Sequence, residues 1–137
     1  MKVKSFSVES VRFIALEMAK EFPNTPTQEF DTRYKGVLES CINQPFQSIG
    51  GKDLYPTIID KASILFYLLI KDHPFVDGNK RMAVMILNSF LIINGFHVNT
   101  TKTKLYNLAI KTAKSKTREK DEILEEIKKF LEKILDD

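Results

Sequence analysis

The stretch HPFVDGNKR, residues 73–81, places a histidine, a carboxylate, a Gly-Asn pair and two cations within nine positions, between the two most apolar segments of the chain. Histidine is well suited to take a proton from a hydroxyl near neutral pH, which makes His73 the candidate base. Gly78 lets the backbone approach a ligand closely and adopt positive φ, as an anion-binding nest requires. A helix expected to start at Asn79 offers unpartnered N–H groups and the positive end of its dipole to an anion. Lys80 and Arg81 in its first turn oppose that dipole, and a bound anion removes the conflict. Phosphate fits, and Arg81 can grip it bidentately. Asp77 would repel the phosphate unless a cation lay between them, and magnesium takes one or two carboxylates together with phosphate oxygens and waters. Base, metal ligand, phosphate cradle and clamp together spell phosphoryl or nucleotidyl transfer to a hydroxyl. The same residues also fit a well-capped interhelix turn with a solvated Lys-Arg end, and spacing alone does not separate the two readings.

The flanking elements must hold this loop. Residues 57–72 and 79–93 are expected as helices, apolar all round in ILFYLLI (64–70) and MAVMILNSFLII (82–93). Helices of that kind must be central, with amphipathic ones outside them. Pro56 suits the start of the first, and Asn94-Gly95 suits the end of the second. An amphipathic helix is expected over 7–22, with Val8, Val11, Ala15, Met18 and Phe22 on one face, ended by PNTPTQ (23–28). Another covers 31–43, with Val37, Leu38, Cys41 and Ile42 on its apolar side. QPFQSIGGKDLYP (44–56) is an irregular loop or a small hairpin around the glycine pair. Helices over 102–114 and 119–135 close the chain, the last presenting Ile123, Ile127, Phe130, Leu131 and Ile134. The expected fold class is all-α, a single domain over 1–137 with one loop or flap before the central helix. A fully β fold is poorly supported.

HPFVDGNKR also resembles the signature of the Fic/Doc family, His-x-Phe-x-(Asp/Glu)-Gly-Asn-(Gly/Lys)-Arg, at every fixed position. The similarity extends over about 34–98. There GVLESCINQPF resembles the segment before the flap in death-on-curing proteins, and LNSFLIINGF resembles the helix after the motif. The resemblance implies a Fic/Doc-type helical bundle with its core in 31–98. It makes His73 the catalytic base, Asp77 the Mg2+ ligand, Gly78, Asn79, Lys80 and Arg81 the nucleotide-phosphate turn, and Phe75 a buried aromatic anchor. Residues 46–55 become a flap, with Ile49, Gly50, Gly51, Lys52 and Asp53 positioning a target segment by strand addition. On its own sequence that loop reads as a plain solvent-exposed connection. Lys80 stands where many adenylyl-transferring members have Gly, and Val84 where they have a second Arg. The death-on-curing branch shares both features. The implied activity is therefore Mg2+-dependent transfer of a phosphoryl group, from ATP or another nucleoside triphosphate, to a Ser, Thr or Tyr hydroxyl of a target protein. A translation factor is the branch's precedent, and adenylyl transfer (AMPylation) is the alternative. The branch also implies a separate antitoxin. The family's built-in inhibitory pattern, (Ser/Thr)-x-x-x-Glu-(Gly/Asn), is poorly met by SKTREK, where Ser115 and Glu119 are followed by Lys120; this segment reads as a linker.

Composition sets the remaining bounds. With 43% hydrophobic and 28% charged residues the chain is that of an ordered soluble protein, and a net charge of +3 is too mild to imply nucleic acid. A single cysteine, Cys41, allows no internal disulfide and no cysteine-rich metal site, which fits a reducing cytoplasm. The N-terminal residues lack the pattern of a signal peptide. Residues 82–101 carry no Asp, Glu, Lys or Arg, but Asn88, Asn94-Gly95 and His97 interrupt them, so a buried helix is expected and not a membrane span. Residues 102–120 carry formal +6 and residues 121–137 formal −4. A non-catalytic binding module using 102–120 is the alternative of another class. A solvated face balanced by the acidic tail is preferred, and nucleic acid is not expected as a partner. Cys41, Tyr67 and His97 are read as structural.

Overall fold

The computed structural model describes residues 3–21, 36–75 and 78–136. Its centre is helix α3 (Ile58–Lys71), in which every residue from Lys61 to Ile70 is buried. The helix starts where Thr57 Oγ1 accepts the Asp60 N–H at 3.0 Å while Asp60 Oδ2 accepts the Thr57 N–H at 3.4 Å. This reciprocal capping box satisfies donors that a helix start leaves open. Pro56 therefore lies one residue before the N-cap, just outside the helix. Lys128 reaches the same carboxylate at 3.2 Å and ties the C-terminal helix to the start of α3. Burial alone would push Asp60 up, but hydrogen bonds from Lys128 and Thr57 outweigh it and hold the carboxyl below its usual range.

Around α3 pack α2 (Val37–Asn43), α4 (Asn79–Ile93), α5 (Lys102–Lys114) and α6 (Lys120–Ile134). Helix α1 (Val8–Glu21) lies on α4 and α2. Val11 and Ile14 of α1 are buried, whereas Phe13 and Leu16 face outward. The fully buried core joins Phe66, Leu69 and Ile70 of α3 to Met82, Ile86, Leu87, Phe90 and Leu91 of α4 and Ile127 of α6. A core of this size stabilises the fold by roughly 1.5–3 kcal/mol for each large side chain removed from water. As expected, the described residues form an all-α fold, with a short hairpin between α2 and α3.

Helix α4 ends at Ile93 with Asn94 as its C-cap, as the Asn94-Gly95 signal predicts, and α5 spans the expected 102–114, with Thr101 as its N-cap. Asn94 does more than stop α4. Its amide donates to Phe90 O (2.9 Å) and Lys4 O (3.1 Å) and accepts the Lys4 N–H (2.7 Å), which pins the N-terminal segment to the bundle. Phe6 then meets Phe90 edge to face. The chain's last described residues form β4 (Leu135–Asp136), paired antiparallel with β3 (His97–Val98). Two-residue strands carry no periodic signal, so this closure is invisible in the sequence. His97 is an exposed strand residue facing Asp136 across that pair. Phe22, the 23–28 connection and residues 31–35 lie outside the described residues, and the helix expected over 31–43 begins only at Val37, because Gly36 takes φ 93° as its N-cap.

Candidate functional site

The motif occupies the turn between α3 and α4, the two central helices, so both of its ends are anchored in the core. Helix α3 ends at Lys71, and the N–H of its C-cap, Asp72, still bonds Leu68 O at 2.9 Å. His73 follows at once, exposed, with φ 48°, and is the described non-glycine residue in the left-handed region. That conformation is sparsely populated for a side chain bearing Cβ, and Pro74 restricts its predecessor further. Strain of this kind persists only where the surroundings impose it, and it gathers at functional sites. Here Phe75 imposes it: its ring is buried in the core, so the residues between Asp72 and Phe75 must turn sharply.

Asn79 locks the turn. Its Oδ1 accepts the Phe75 N–H at 2.9 Å and its Nδ2 donates to Phe75 O at 3.1 Å. The side-chain amide thus pairs both the N–H and the C=O of buried Phe75. Gly78, with φ 73° and ψ 21°, is the N-cap of α4, and its carbonyl accepts the Met82 N–H at 2.9 Å. Lys80 and Arg81 stand in the first turn of α4, both half-buried, with no acidic residue in that turn. Among the described residues, the helix dipole and two cations therefore add at this end of α4. Val84, one turn on, points into the core and is 4% exposed. Asp77 lies outside the described residues. Among the described residues no group of three or more His, Cys, Asp or Glu side chains could hold a metal ion.

The residues expected as a flap form a hairpin: β1 (Ser48–Ile49) pairs antiparallel with β2 (Lys52–Asp53) around Gly50-Gly51. Both glycines have positive φ, 59° and 79°, as the favoured two-residue hairpin turn demands. Ile49, Gly50, Gly51, Lys52 and Asp53 are all exposed, and Ile49 is 71% exposed. The base of the hairpin and His73 sit at opposite ends of α3. The twelve residues from Lys61 to His73 correspond to roughly 18 Å along the axis.

Three contributors escaped the sequence reading. Lys61 is buried in α3 beneath the hairpin. Its signal was a cation interrupting an otherwise apolar helix face. Lys71, two residues before His73, donates to Ser115 O (2.5 Å) and Ala113 O (3.4 Å), closing the C-terminus of α5 against the motif end of α3. Ser115 is therefore the C-cap of α5, and Glu119 accepts the Lys116 N–H in a 3-10 turn before α6. Asp72 accepts a long thiol hydrogen bond from Cys41 at 3.9 Å. Burial, then the charge of Asp72 and this bond, push the Cys41 thiol up to about 12, so it is an inert core group. Tyr67, also buried, is raised by burial and by the charge of Asp72.

A helical bundle whose central helix hairpin carries HPFVDGNKR at its turn is the Fic arrangement, and the model of the Fic/DOC family matches residues 5–91. The chain belongs to the Fic/DOC family. It is 40% identical over 67 residues to a protein of Mycolicibacterium smegmatis named Toxin Doc, covering 49% of this chain and 52% of that relative. The chain thus spans about half the length of the curated relative it matches. No solved structure matches it. Among the described residues no helix is long and apolar enough to cross a membrane.

Proposed function

We propose that this chain is a Doc-like toxin transferase that moves the terminal phosphoryl group of ATP, or of another nucleoside triphosphate, to a hydroxyl of a target protein. The observation that carries the reading is the start of α4. Gly78 opens its amides, and Lys80 and Arg81 add two cations within one turn. An imidazole nitrogen of His73 takes the proton of the target's Ser, Thr or Tyr hydroxyl as that oxygen attacks the γ-phosphorus. The bond from phosphorus to the bridging oxygen breaks, and the nucleoside diphosphate leaves with both electrons. The first-turn amides of α4 and the Arg81 guanidinium hold the phosphate oxygens in line. Magnesium, held by Asp77 together with phosphate oxygens, would neutralise charge between carboxylate and phosphate. The target strand adds to an edge of the hairpin at 48–53. A translation factor is a candidate target, a separate antitoxin a candidate partner, and the cytoplasm the proposed compartment.

Adenylyl transfer is the second reading, since it needs the same base, metal and cradle with the α-phosphate in line instead. Val84 favours the first. An arginine at that buried position would have to leave the core to reach a phosphate. Purified protein incubated with magnesium, a bacterial lysate and ATP labelled at either the α- or γ-phosphate separates the two readings. Label transferred only from the γ-position, and lost in His73→Ala, is the expected result. Label from the α-position refutes the kinase assignment, and no label from either in an antitoxin-free preparation refutes the transferase reading.

A further inference from the structure

We infer that Lys61 is the positioning residue of the hairpin, fixing the edge on which a target strand docks to the helix that carries His73. This deepens the proposed function and rests on its reading of the hairpin as the target-binding edge. Lys61 is 3% exposed, and its ammonium reaches the hairpin's base from both sides. It donates to Pro45 O at 3.2 Å, ahead of β1, and to Tyr55 O at 2.5 Å, beyond β2. Its third partner is Asp53 Oδ2 at 3.4 Å, on β2 itself. A lysine has three donors, so all are engaged, and the Phe46 ring lies 5.2 Å from Nζ as further support for the charge.

Among the described residues the hairpin has little else to hold it. Its four paired residues and both turn glycines are exposed, and a ribbon of two residues per strand is not stable alone in water. Conversely, a buried ammonium is costly unless paired and hydrogen-bonded, and its counter-charge comes from the hairpin. Opening the hairpin would strip Lys61 of its ion pair, so each part holds the other in place. Because Lys61 stands on the first turns of α3 and His73 follows the last, one rigid helix sets the spacing between docking edge and base.

The test is Lys61→Met, which keeps the aliphatic stem and removes the three donors. Amide hydrogen exchange across 47–54 needs no activity. Protection there, including the Leu54 N–H that bonds Gln47 O at 3.0 Å, should fall at least tenfold while α4 amides are unchanged. In the γ-labelling assay with serial dilutions of bacterial lysate, the lysate concentration giving half-maximal transfer should rise about tenfold. The KM for ATP and the maximal rate should stay within twofold. Unchanged exchange at 47–54, or a loss confined to the maximal rate, overturns the inference. If wild-type protein transfers no label, the transferase reading fails, and hydrogen exchange still decides the role of Lys61. Should Lys61→Met fail to fold, Asp53→Ala on the exposed strand takes its place. A several-fold loss of protection confined to 47–54 is then expected, and none overturns the inference.

Discussion

Asn79→Ala is the sharpest probe of the motif, because Asn79 has two possible employments that stability separates. The structure shows its amide closing on the Phe75 peptide with bonds of 2.9 and 3.1 Å. Two such bonds contribute about 1 kcal/mol each, and leaving the peptide groups of buried Phe75 unpaired adds roughly another 1 kcal/mol. Alanine's better helix propensity returns about 0.5 kcal/mol. The net expectation is a loss of roughly 2–2.5 kcal/mol. For a domain of this length that lowers the melting temperature by roughly 6–12 °C. Circular dichroism melting and urea titration measure it. Asn79→Asp keeps the acceptor for the Phe75 N–H and places a negative charge at the positive end of α4, worth up to about 1 kcal/mol. It should therefore lose only about half as much stability, yet transfer no better than the alanine variant, since a carboxylate there repels phosphate. A melting temperature within 2 °C of wild type, with transfer abolished, would refute the reasoning. It would mean that the amide acts on ligand and that the loop is held by something else.

Three further outcomes are expected. Cys41, pushed up from 9.0 to about 12, has a thiolate population roughly a thousandfold smaller than an ordinary thiol at the same pH. It should resist iodoacetamide at pH 8 until urea unfolds the chain. Because folding raises this pKa, the associated stability is present below pH 9.0 and is lost as pH climbs toward about 12. Ser63 Oγ is buried in α3 without a hydrogen-bond partner among the described residues, so Ser63→Ala should leave stability unchanged or raise it by about 1 kcal/mol in urea titration. At His73, with φ 48°, glycine should be more stable than alanine by about 1 kcal/mol, and neither variant is expected to transfer label. Equal stability would mean that the turn relaxes once the imidazole is gone.

These tests divide the molecule as its physics does. The helix-forming segments and the bounds of α4 and α5 were legible because each rests on local interactions, whereas around Gly50-Gly51 the sequence left loop and hairpin open. Apolar residues at helical spacing and Asn94-Gly95 as a stop act within a few residues of themselves. The motif was legible for the same reason: nine consecutive residues carry the candidate base, metal ligand and cradle. What the sequence could not reveal depends on groups brought together from far along the chain. Asn94 clamps Lys4 across ninety positions, Lys71 closes α5 across more than forty, and the β3–β4 pair joins His97 to Asp136. Lys61 is the clearest case. By type it belongs on a surface, and only folding supplies the two carbonyls and the carboxylate that make its burial tolerable. Asn79 divides between the two. The sequence placed it at the start of α4, while the tertiary structure decided that its side chain faces back to Phe75, because a buried peptide must find partners and this amide is within reach.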